Sequence, residues 1–84
     1  MINFSNIVRE VKIDVSASDF EDAGGFFIRA ETAGNIKYVP FGNTDDEVIT
    51  RPIGVSYDFS NQVLCRKVIS SGTTASDIYI GKGM

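Results

Sequence analysis

Apolar and polar residues alternate with a period of two along most of this chain. Val11, Ile13 and Val15 alternate with Lys12 and Asp14, the pattern of a strand with one face turned toward a core. Residues 16–23 form a polar connection in which Ser18 and Glu21 have capping-box spacing. That spacing predicts one short helical turn, ended by Gly24-Gly25. Phe26, Ile28 and Ala30 then alternate with Phe27, Arg29 and Glu31. Ala33-Gly34-Asn35 reads as a turn and residues 36–39 resume the strand pattern, which together predict a β-hairpin. Pro40 has no backbone donor, so the strand is expected to end there or lie on a sheet edge.

Residues 42–46 form a polar loop. Short apolar segments follow at residues 47–50 and 53–55, interrupted by Pro52. Residues 57–61 read as a loop. Residues 63–69 are the longest apolar run and the best candidate for a central strand. Residues 70–76 turn the chain, and Ile78, Tyr79 and Ile80 are expected to pair back on that strand as a hairpin. Residues 81–84 are expected to fray. Five to seven short strands without a helix of ordinary length predict an all-β fold, a small antiparallel β-sandwich or partly open barrel. Residues 1–84 read as a single domain, with residues 1–10 as an extended N-terminal arm.

Composition narrows what such a domain can rely on. A chain of 84 residues buries only about 60–65% of its unfolded surface, so extra reinforcement is expected. Cys65 is the single cysteine and there is no histidine, which excludes a disulfide within the monomer and argues against a zinc site. Self-association, or docking on a larger body, remains. The net charge is −3, with both signs interspersed. No basic stripe could follow a phosphate backbone, so nucleic acid is not an expected partner. The first residues lack the basic and apolar regions of a signal peptide. No apolar run approaches the ~20 residues of a membrane-spanning helix, so no membrane association is expected. The lone thiol fits a reducing cytoplasm.

Candidate chemistry is sparse. Asn43, Asp45, Asp46 and Glu47 offer oxygen ligands of the kind calcium takes. They lack the glycine and distal bidentate glutamate of a calcium loop, and read as a solvated acidic loop. Cys65 has no histidine to activate it and sits in an apolar run, which predicts a buried packing thiol. Ser70, Ser71, Thr73 and Thr74 are expected to bond local backbone, and a Ser–Lys pair with Lys67 is the remote alternative. The glycines form no phosphate-binding loop, and the carboxylates are scattered. No catalytic residue, metal site or cofactor is expected. Phe27 (by alternation), Tyr38 or Val39, Tyr57 and Tyr79 are expected to face outward. They would either pack under a second sheet or serve as a contact surface.

Three segments carry a family resemblance. The first is Ser16-Ala17-Ser18-Asp19 followed by Phe26-Phe27-Ile28-Arg29-Ala30. The second is Thr32-Ala33-Gly34-Asn35-Ile36-Lys37-Tyr38-Val39. The third runs from Arg66-Lys67-Val68-Ile69 through Ser70-Ser71-Gly72-Thr73-Thr74-Ala75 to Ser76-Asp77-Ile78. In order and spacing, residues 16–81 resemble a family of small bacteriophage virion proteins that includes the head-spike base protein of phage-like gene transfer agents. Between Val39 and Cys65 the chain instead carries an acidic loop and Arg51-Pro52-Ile53-Gly54. The resemblance implies a non-enzymatic structural protein of the virion, made in the bacterial host cytoplasm. It would be of the capsid-decoration or spike/fibre-base type, acting as a homo-oligomer docked on a major capsid or tail/fibre protein. Ile78, Tyr79 and Ile80 are the expected oligomer contacts, since unpaired strand edges recruit neighbours. The rival expectation is a monomeric β-sandwich binding module for carbohydrate, stacking sugars on its tyrosines.

Overall fold

The structure is a computed structural model that describes residues 7–59 and 63–83, with the side chains of Ile7 and Val8 left aside. The described residues form six strands: β1 (Ile7–Ile13), β2 (Phe20–Thr32), β3 (Gly34–Pro40), β4 (Ile49–Ile53), β5 (Leu64–Val68) and β6 (Ser76–Gly83). All pair antiparallel in one open sheet of order β1-β6-β2-β5-β3-β4. The fold is all-β, as the alternation predicts, and the described residues contain no helix.

Strand connectivity departs from the sequence-based expectation. Only β3 and β4 are neighbours both in the chain and in the sheet. The expected hairpin across Ala33-Gly34-Asn35 does not form, because β3 pairs with β4 and β5 rather than with β2. Likewise β5 pairs with β2 and β3, while β6 pairs with β1 and β2, so residues 63–69 and 78–80 do not form a hairpin. β2 and β3 both run antiparallel to β5, and β5 and β6 both run antiparallel to β2, so neither turn signal marks a hairpin; the burial of both faces of a strand selects its neighbours. The residue 63–69 run does lie in the interior of the sheet, between β2 and β3.

The long strand β2 organises the fold. Phe20 and Glu21 pair with Val68 and Lys67, and Phe26 pairs with Cys65. Asp22 to Gly25 therefore stand opposite Arg66 alone, a wide bulge in which Gly25 takes φ 85°. Glycine reaches that left-handed backbone without a Cβ penalty. The bulge occupies the stretch expected to follow a helical turn; Ser16 to Ser18 only bend before β2 begins. Beyond it, Phe26 and Phe27 still pair with Cys65 and Leu64 of β5, and on the other edge of β2 Phe27 to Thr32 pair with Gly81 to Ser76 of β6.

One core joins both parts of the sheet: Val15, Phe26, Ile28, Ala30, Ile36, Tyr38, Ile53, Cys65, Val68, Ala75, Ile78 and Ile80. Ile78 and Ile80 are 2% and 5% exposed, so two of the three expected oligomer contacts are core residues. Their alternation with half-buried Tyr79 is the ordinary inward face of a strand. Phe27 and Tyr38, expected to be exposed, are 5% and 3% exposed. Tyr38 points into the core with Ile36, and Phe27 is covered on the outer face of β2.

Proline and the termini also follow from pairing. β3 ends at Pro40, as its missing donor demands. Pro52 stays inside β4, which is tolerated because β4 is an edge strand. Gly81 to Gly83 do not fray; they pair with β1, with Ile7 opposite Gly83. Ile7 to Glu10 of the expected arm thus belong to the sheet, and residues 1–6 lie outside the described residues.

Candidate functional site

The outer face of β2 and β6 carries a polar cluster that alternation alone places outside. Arg29 stands opposite Tyr79 of β6, which in turn stands opposite Lys12 of β1. The Arg29 guanidinium lies 4.1 Å from the Tyr79 ring centroid and 5.6 Å from that of Phe59, within the range of cation–π attraction. Its Nε donates to Glu10 Oε1 at 2.7 Å, and Nη2 contacts the same oxygen. Nη1 donates to Glu31 Oε2 at 2.6 Å and to the Ser56 carbonyl at 3.2 Å. Burial disfavours the Arg29 charge, but hydrogen bonds to Glu31 and Glu10 outweigh it and hold the group protonated more firmly than usual.

This cluster is a clasp. Arg29 is 6% exposed, and it ties β1, β2 and the segment after β4 to one another through a single guanidinium. The segment is also held by backbone, since Ser56 N donates to the Ala30 carbonyl at 2.9 Å and Val55 bridges Ala30 in parallel. Phe59 closes over Gly81, where an added Cβ would sit 2.8 Å from the ring. The fork of donors is directed at carboxylates and a carbonyl of the chain itself. Its chemistry is therefore to fasten rather than to bind a ligand. Sequence reading placed Arg29 on the outer face but did not single it out; an arginine inside Phe26-Phe27-Ile28-Arg29-Ala30 was the available signal.

The remaining candidates fall where local bonding puts them. Arg66 Nη2 donates to Asp45 Oδ1 at 2.6 Å and to the Asn43 carbonyl at 2.9 Å, while Thr44 N and Oγ1 donate to Glu47 Oε1. The acidic loop is thus braced by protein donors. Among the described residues, no group of three or more metal-ligating side chains is placed to hold an ion. Cys65 is fully buried, and desolvation pushes its thiol up to about 12, which leaves it protonated and unreactive at neutral pH. Thr73 Oγ1 donates to the Ile69 carbonyl and accepts from Lys37 N, and Thr74 Oγ1 accepts from Asn35 N. These hydroxyls finish the edge of β3 beyond the end of β5. No helix is long and apolar enough to cross a membrane among the described residues.

Two kinds of surface remain. The first is a set of exposed apolar side chains: Phe41 at 45%, Val55 at 51% and Tyr57 at 75%. Val55 borders a cleft of about 370 Å³ lined by Arg51, Pro52, Ile53, Ser56 and Val63. Tyr57 is the expected exposed aromatic that the fold leaves open; Phe27 and Tyr38 are buried and Tyr79 is half-covered beneath Arg29. The second is the pair of sheet edges, β1 and β4, whose outer sides pair with no strand among the described residues. No family model, curated protein or solved structure matches the chain.

Proposed function

We propose that this chain is a non-enzymatic structural protein of a bacteriophage virion, of the capsid-decoration or spike/fibre-base type. It acts by associating with copies of itself and docking on a major capsid or tail/fibre protein. The observation that carries the assembly part is the single open sheet whose two edges are unpaired among the described residues, beside exposed Val55 and Tyr57. Unpaired edges present rows of backbone donors and acceptors, and exposed aromatics anchor interfaces. The virion part rests on the resemblance of residues 16–81 to small phage virion proteins. The chain would be made in the bacterial cytoplasm and end in the particle.

The carbohydrate-module reading gains less support. It needs a platform of open rings, and of the three tyrosines only Tyr57 is exposed. The deciding experiment is the solution mass of the purified chain by light scattering across a concentration series. A defined oligomer supports the assembly reading; a monomer at every concentration that binds neither capsid nor tail protein overturns it. An antibody against the chain should also label purified phage particles, and particles without the chain would overturn the virion assignment.

A further inference from the structure

The two sheet edges are not equivalent. β4 is five residues long and holds Pro52, which has no donor to give a new strand. β1 is seven residues long without proline, and its pairing with β6 shifts between Ile7 and Arg9. Its regular part is therefore Arg9 to Ile13, centred on Val11. We propose that two copies of this chain pair antiparallel through β1, about a two-fold axis at Val11, merging their sheets into one. This deepens the self-association reading above and rests on it.

The side chains select that register. Directly opposed residues of an antiparallel pair share one face of the sheet. Lys12 opposes Tyr79 and Glu10 opposes Gly81, on the same face as Arg29, whereas Val11 opposes core residue Ile80. Keeping the two cores on one side of the merged sheet requires outer residues to meet outer residues. An axis at Arg9 sets arginine against arginine. An axis at Glu10 sets glutamate against glutamate. An axis at Lys12 opposes two lysines and brings Glu10 to Asp14. An axis at Ile13 matches Lys12 with Asp14, but it lies at the last residue of the strand and pairs little of it. The axis at Val11 sets Lys12 opposite Glu10 of the second copy, twice by symmetry, with Val11 on Val11 between them. Like charges directly opposed are destabilising and opposite charges stabilising, so the sequence favours this register.

The opposed groups have capacity for the new contact. Lys12 is bonded to Asp77 at 3.1 Å with its side chain 57% exposed, and Glu10 meets Arg29 with its side chain 41% exposed. An ammonium has three donors and a carboxylate two oxygens, so each can add a partner. Asp77, Lys12, Glu10 of the second copy and its Arg29 then alternate in sign across the interface. Because the axis is two-fold, the contact closes on itself, and the guarded β4 strands end the merged sheet instead of extending it into a fibre.

The test uses the full chain carrying Val11→Cys or Arg9→Cys, with buried Cys65 retained, under mild oxidation, with masses read by light scattering and non-reducing gels. Val11→Cys is expected to trap a covalent dimer, while Arg9→Cys, set about four residues from its own copy, is expected not to. Lys12→Glu is expected to raise the dimer dissociation constant about tenfold or more while leaving the β-sheet spectrum unchanged. Cross-linking of Arg9→Cys as fast as Val11→Cys overturns the register, as does a dimer indifferent to Lys12→Glu. A larger oligomer that Val11→Cys does not cross-link overturns the β1 interface and leaves self-association standing. A monomer at every concentration overturns both.

Discussion

Arg29 and Tyr79 stand directly opposite each other on β2 and β6, with the guanidinium 4.1 Å from the ring centroid. This cross-strand pair is the centre of the outer-face clasp, because the same guanidinium also bonds Glu10, Glu31 and Ser56. Replacing Arg29 by Met keeps much of the packing and leaves the Glu10 and Glu31 carboxylates without their shared cation. The expected loss is about 2–3 kcal/mol, at or below the low end for breaking a buried pair because both glutamates reach solvent. Urea unfolding of Arg29→Met checks it; a loss below ~0.5 kcal/mol would refute the clasp.

Gly81 is the seat of Phe59, and an added Cβ would lie 2.8 Å from the ring. Gly81→Ala is expected to displace Phe59 and cost about 1–3 kcal/mol, as overpacking does. Limited proteolysis should then cut near residues 55–59 faster than in the parent chain. Unchanged cleavage and stability would mean the ring is not seated there.

Ile78 and Tyr57 should behave oppositely on truncation. Ile78 is 2% exposed in the core, so Ile78→Ala is expected to cost about 2–5 kcal/mol. Tyr57 is 75% exposed, and Tyr57→Ser should change stability by no more than about 0.5 kcal/mol. Thermal melts of the two variants make the comparison. If Tyr57→Ser instead weakens binding to a capsid or tail protein, the docking surface includes Tyr57.

The Cys65 thiol is raised from 9.0 to about 12 by burial. Well below pH 9 it is protonated in both folded and unfolded chains and contributes no pH dependence. Above that, the unfolded thiol ionises while the folded one does not, so the unfolded state binds fewer protons and stability falls as pH rises. The expected slope approaches ~1.4 kcal/mol per pH unit from this group. Native alkylation at neutral pH should be slow and become rapid on adding denaturant. Fast native alkylation would contradict the burial.

Acid should weaken the fold through different groups. Asp22 is held below the usual carboxylate value by its bond to Lys82, with the Gly24 amide adding to it, and Asp45 is held down by Arg66. A lowered folded-state value gives stability that is present above the unfolded value and lost as pH falls through the folded one. The melting temperature is therefore expected to decline as pH drops below about 4. Lys82→Met should lower stability at neutral pH and flatten that decline. A decline as steep as in the parent chain would exclude the Asp22–Lys82 pair as a contributor.

The alternation of Val11 with Lys12 and of Ile28 with Arg29 was enough to establish strands, because period two is a local property that each residue carries itself. Pro40 as a strand end, the 63–69 run as an interior strand and Cys65 as a buried thiol were legible for the same reason. What the residues could not state locally was partnership. Phe27, Tyr38 and Ile80 all alternate correctly, yet that all three are shielded from solvent depends on the elements laid over each face. β2 gains β6 as a second neighbour beyond the Gly24-Gly25 bulge, and the segment carrying Ser56 and Phe59 returns to cover its outer side. These contacts join residues far apart in the chain, so the period alone cannot reveal them. The sequence by itself determined that the chain makes strands and that no histidine or second thiol supplies chemistry. Tertiary structure decided the strand order, buried Arg29 and left β1 and β4 as the sheet edges among the described residues, because non-local burial chooses among the pairings that alternation permits.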